Sequence, residues 1–151
     1  MNQFLKQWSP DVWKIYLFSF LKNLHFFGAI LIPFFLEWGH LNFEQIFFLQ
    51  AWFMFWIFIL EIPTGSFADR FGRRFSLAVG AFLTGIAAFV YVYQPQFLFF
   101  LIAEFIWAVS SALISGADEA LLYDTLKSQK KENTSKKAFS WEESIGLIAI
   151  A

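Results

Sequence analysis

The chain has 151 residues, of which 58% are hydrophobic, 23% aromatic and only 15% charged, with a formal net charge of −1. Charged residues fall well below the roughly 25% typical of soluble domains, and 23 Phe and 7 Trp are more than a soluble core of this size can hide. Having no Cys excludes disulfides, a thiol nucleophile and a thiolate zinc site, and with only His25 and His40 no metal site and no cofactor is expected.

A helix needs about 20 apolar residues to cross the hydrocarbon core of a bilayer. Four stretches reach that length: Trp13 to Leu36, Phe43 to Ser66, Phe75 to Tyr93 and Phe97 to Leu122. A fifth begins near Ser144 and stops at Ala151 within an apolar run. The expected fold is therefore an all-α integral membrane bundle, with four complete transmembrane helices and the start of a fifth. The first stretch is too long for a signal-peptide core, lacks a small-x-small cleavage site and contains Lys22, His25 and Pro33, so it reads as a retained span. Gly28 and Pro33 allow it to bend.

The loops alternate in charge. Lys6 and Lys14 precede the first span, the EWGHLN loop has no Lys or Arg, the next has Arg70, Arg73 and Arg74, the QPQ turn has none, and the last has Lys127, Lys130, Lys131, Lys136 and Lys137. Apart from Lys14 at the very start of the first span, Lys22 alone of the basic residues lies inside a span. Positive charge gathers on the cytoplasmic side, which puts the N-terminus in the cytoplasm of a multi-pass protein, with a bacterial inner membrane as the expected location. Residues 124–143 read as a polar cytoplasmic connector, mobile in its SQKKENTSKK part, so Asn133-Thr134-Ser135 is expected to be an idle glycosylation match.

Between the second and third spans lies GSFADRFGRR, with Gly65, Asp69, Arg70, Gly72, Arg73 and Arg74 in the order Gly, three residues, Asp-Arg, one residue, Gly-Arg-Arg. Gly65 permits close approach of another helix, Gly72 permits a tight turn, Asp69 suits a helix N-terminus, and Arg73 suits a carboxylate. Pattern and position resemble the signature loop of the major facilitator superfamily of secondary transporters. SGADEALLYDTL, from Ser115 to Leu126, resembles the end of the fourth helix in bacterial members. The resemblance implies that residues 1–151 are part of the N-terminal half of a twelve-helix protein, with the C-terminal half of the same chain missing. It also implies that the loop is a cytoplasmic latch. Asp69 would meet a helix end of the missing half, and Arg73 would meet an acid at the end of the fourth helix, for which Asp124 is the candidate. The plainer alternative is that the arginines only set topology.

Ionisable groups inside spans are expensive and usually face a bundle interior or a wet cavity. On the fourth span Ser111, Ser115 and Asp118 fall within about 40° of Glu104. The resemblance implies that this stripe lines a substrate cavity; a serine-glued packing face is the alternative. On the first span Lys22 and His25 share a face. Lys22 has Glu104 or an anionic substrate as candidate partners, and His25 is either structural or a proton relay. Glu61 stands in LEIPTG beside Pro63. It either caps freed backbone groups, pairs with a loop arginine, or carries a coupling proton. Small residues along the third span, including Gly80, Gly85 and Ala87, read as helix packing. Trp8, Trp13, Trp38, Tyr91, Tyr93, Tyr123 and Trp141 read as interfacial anchors.

The implied activity is alternating-access transport of a small-molecule substrate, coupled to protons, as efflux antiport or uptake symport. The other class considered is a membrane-embedded enzyme or a non-transporting assembly protein. Neither a Gly-x-Ser-x-Gly elbow nor a phosphate-binding Gly-x-x-x-x-Gly-Lys occurs, so no catalytic residues are assigned and no enzyme is expected. The expected partners are lipid, solute and protons, not nucleic acid.

Overall fold

The computed structural model describes residues 8–24, 28 and 30–150, and among these the chain is helical with no strand. The helices are α1 (Pro10–Asn23), α2 (Phe43–Phe71), α3 (Arg73–Tyr93), α4 (Phe97–Ser115), α5 (Asp118–Ser128) and α6 (Ser135–Ile150). They divide into two compact units, one holding α1, α5 and α6 and the other running from Phe27 to Ala117.

In the second unit α4 packs on both α2 and α3. Asn42 starts α2 with a reciprocal cap: its side chain accepts from the Gln45 amide, and the Gln45 side chain accepts from the Asn42 amide. Before α2, a helical turn at Leu31–Pro33 runs into a π-helical turn at Phe34–Trp38. This brings Phe34, Phe35 and Trp38 around Phe100 of α4, with ring centres 5.4–6.2 Å from it. At the other end small residues let the helices close. The Ser110 hydroxyl donates to the Gly80 carbonyl at 2.7 Å and lies 2.6 Å from the Thr84 hydroxyl. A Cβ on Gly80 would meet Ile114 at 2.6 Å, so only glycine fits this crossing. The small residues of α3 are not one packing face, however. Ser76, Gly80, Ala87 and Tyr91 are buried, whereas Ala78, Ala81, Gly85 and Ala88 face outward.

Three stretches among the described residues are long and apolar enough to cross a membrane: Phe43–Phe71, Arg73–Tyr93 and Phe97–Ser128. Their outward faces are apolar, with Phe58 77%, Ile62 81%, Phe82 71% and Phe89 78% exposed. Contiguous exposure on that scale does not suit a soluble monomer.

Two spans differ from the sequence-based expectation. The first is not one helix from Trp13 to Leu36. α1 ends at Asn23, whose side-chain amide donates to the Ser19 carbonyl; Leu24, Gly28 and Ile30 are not helical, and a helical turn begins at Leu31. Gly28 lies within that break and Pro33 in the turn that follows it, and both disfavour continuous helix. The fourth is divided by Gly116 and Ala117: the Gly116 amide donates to Ala112 and the Ala117 amide tightens onto Ile114. Asp118 then opens α5, accepting from the Glu119 amide at 2.8 Å.

In the first unit α1 runs parallel to α6 and antiparallel to α5. The Tyr16 hydroxyl donates to the Ala138 carbonyl at 3.2 Å, while further along Asn23 lies beside Gly146. The Gln129 side chain donates to Ser9 Oγ at 2.6 Å, joining the end of α5 to the start of α1. Trp8, Val12, Ile15, Tyr16, Leu122, Leu126 and Ala138 form the core. Trp8 is thus a core residue and not an interfacial anchor, and in the other unit Tyr91 is likewise buried. The expected connector is largely structured: α5 reaches Ser128, a 3-10 turn covers Glu132–Thr134, and α6 begins at Ser135.

Candidate functional site

The charged turn between α2 and α3 is shorter than its sequence suggests. Gly65, Asp69 and Arg70 are helical, because α2 continues to Phe71 and only Gly72 leaves the helix. Gly72 sits at φ +97°, a conformation that disfavours any side chain, and α3 restarts at Arg73. Phe67, Phe71 and Phe75 cluster across the turn with ring centres 4.6–6.5 Å apart, which ties the two helices together. Arg73 reaches back to Asp69, Nη2 to Oδ1 at 3.6 Å, and Arg70 lies over the Phe71 ring at 5.6 Å. Arg74 is exposed. A Cβ on Gly65 would meet nothing within 4 Å, yet one on Gly116 would lie 3.4 Å from the Gly65 amide nitrogen. Gly116, just past the end of α4, therefore stands against Gly65 of α2, a neighbour that the sequence did not single out.

Asp69 is the unusual member. It lies near the C-terminal end of α2, where the helix dipole disfavours an acid by typically 0.3–1 kcal/mol. Its side chain is 74% exposed. Counting 100° per residue, it lies within about 20° of Phe58 and Ile62, on the same outward apolar face. Asp124, the candidate partner of Arg73, is exposed on α5 in the other unit.

Glu104 is buried in the second unit and bonds to the Tyr91 hydroxyl of α3. Ser111 is half-buried, and Ser115 is exposed with its hydroxyl donating to the Ala112 carbonyl at 3.3 Å. Because α4 ends at Ser115, the expected stripe does not continue to Asp118 on one helix. Glu61 is exposed on α2. One residue past Pro63, the Thr64 hydroxyl donates back to the Leu60 carbonyl of its own helix at 2.7 Å. His25 lies outside the described residues.

Lys22 finds its partner within the first unit: its ammonium pairs with Asp118 Oδ2, whereas Glu104 was one expected partner. Asp118 is 6% exposed and the Lys22 side chain 24%. A third member, Glu142 of α6, is 8% exposed and close enough to feel Asp118, Lys22 and Glu119. Glu142 precedes Ser144, the expected start of the fifth span. Burial, together with Asp118 and Glu119, pushes its carboxyl up to about 7 against the pull of Lys22. Glu142 was hidden by its placement in a polar connector. The signal for it is periodic: Ala138, Ile145, Gly146 and Ala149 form a helical face that contains position 142.

No family model matches the chain, and no solved structure matches it. Over 61 residues it is 36% identical to an uncharacterized MFS-type transporter, YxaM, of Bacillus subtilis. The match takes in 40% of this chain and 15% of that relative's length. The apolar helices and this similarity indicate an integral membrane protein with a transporter-like segment.

Proposed function

We propose that the chain is the first part of a secondary active transporter of the major facilitator superfamily, moving a small solute by alternating access. The observation that carries this reading is the Gly65–Arg74 turn: a single glycine joins two apolar helices long enough to cross a bilayer, with arginines on either side of it. Similarity to an MFS-type transporter supports it. In this reading the turn lies on the cytoplasmic face of a bacterial inner membrane and latches the outward-facing state. Asp69 engages a helix end of the missing half, and Arg73 engages Asp124. The lysines support the orientation, since the Ser9–Gln129 bond brings Lys14, Lys127 and Lys130 to one end of the first unit. Protons are the coupling ion, with Lys22, Asp118, Glu104 and Glu61 as the groups proposed to meet substrate or proton.

The test is solute-evoked proton movement. The full-length protein is reconstituted in vesicles holding a pH-sensitive dye and challenged with a solute library. At least one solute is expected to move protons in loaded vesicles and not in protein-free ones. Solute flux that ignores an imposed pH gradient would exclude proton coupling.

A further inference from the structure

One end of the first unit is strongly basic. Lys14 near the start of α1, Lys127 in the last turn of α5, Lys130 and Lys131 in the turn after it, and Lys136 and Lys137 at the start of α6 gather there. The acids nearby in sequence are Asp11, Asp124 and Glu132, so six lysines stand against three carboxylates. All but Lys131 are exposed. Lys14 pairs with Asp11 at 3.0 Å, but the lysine side chain is mostly in solvent and the aspartate half so, and that pair holds the ammonium weakly.

Two features distinguish this end from an ordinary solvated face. Lys130 occupies a left-handed conformation, φ +57°, where glycine is the usual residue. The Lys131 amide donates to the Leu126 carbonyl across it, so Lys130 stands at the αL position of the α5 C-cap. The chain keeps a lysine where glycine would be less strained. On α1, Trp8, Pro10, Trp13, Lys14 and Leu17 line a shallow open groove. Of these Trp8 is buried in the core, and half-buried Trp13 with the Lys14 ammonium and exposed Leu17 has the composition of a membrane-interface site.

We propose that this end of the unit is a binding surface for anionic phospholipid, whose headgroup phosphate meets the lysines while the glycerol and upper acyl chain lie in the groove beside Lys14. Each lysine near an anionic surface strengthens attraction about fivefold. The inference does not depend on which solute is carried.

The test uses the full chain in detergent, analysed by native mass spectrometry with equal phosphatidylglycerol and phosphatidylcholine. Phosphatidylglycerol is expected to be retained about tenfold more strongly than phosphatidylcholine. The preference is expected to vanish in the quadruple variant K127Q/K130Q/K136Q/K137Q. Lys130→Gly guards against misfolding: it is expected to melt at an equal or higher temperature while losing phosphatidylglycerol several-fold. Excess inorganic phosphate is expected to leave the lipid bound, because it cannot fill the groove. Equal retention of the two lipids, retention unchanged in both variants, or displacement by phosphate would overturn the proposal.

Discussion

Lys22→Met is expected to destabilise the protein by about 3 kcal/mol, the low end of the range for breaking a buried ion pair because Lys22 keeps some solvent contact. Asp118 is 6% exposed and Glu142 8%. Removing the one ammonium leaves two buried carboxylates facing each other, and one of them must take up a proton. The charge cost, and not lost packing, dominates, since methionine fills nearly the same volume. The double variant Lys22→Met/Asp118→Asn is therefore expected to recover most of the loss. Thermal melts of the four members of this cycle in detergent measure the coupling. A single variant within about 0.5 kcal/mol of the parent would show that the pair contributes little. The cluster also sets a pH dependence. A carboxyl pushed up to about 7 binds its proton more tightly in the folded state than in the unfolded one. Its contribution is present at low pH and is lost as pH rises from the ordinary glutamate range through about 7. Glu142→Gln is expected to flatten that slope.

Asp69→Asn is expected to lower transport turnover about tenfold, which corresponds to about 1.4 kcal/mol and lies within the usual range of coupling between states. Folding offers no explanation for such a loss. The acid opposes the dipole of α2, and its 3.6 Å pairing with Arg73 is exposed, so neutralising it is expected to leave stability unchanged or slightly raised. Insertion and melting temperature serve as the controls. Turnover equal to the parent, at equal insertion, would remove the latch and leave the arginines as topology signals alone.

Much of this was legible in the residues. Phe43–Phe71, Arg73–Tyr93 and Phe97–Ser115 are apolar enough that length and composition suffice. The turn at Gly72 was legible because glycine there is a backbone requirement. Other features needed the third dimension. Lys22 and Asp118 are 96 residues apart, and neither sequence position names the other. The places of Trp8 and Tyr91 near span ends suggest anchors, but their side chains point into cores. Composition also misled at GSFADRFGRR, where glycine and charge suggest a loop although only Gly72 breaks the helix. Helical period in α6 carried the signal for Glu142, masked by the polar residues around it.

The most direct measurement of the central claim is sidedness. These 151 residues hold no cysteine, so single cysteines placed in them can be read cleanly once any cysteine elsewhere in the full-length protein is replaced. Arg74→Cys at the charged turn and Gln94→Cys at the opposite end of α3 are treated in intact cells with a membrane-impermeant maleimide. Labelling at position 94 from outside, and at position 74 only after permeabilisation, is the predicted result. Labelling of position 74 in intact cells would contradict a cytoplasmic turn, and with it the latch and the orientation on which the transport reading rests.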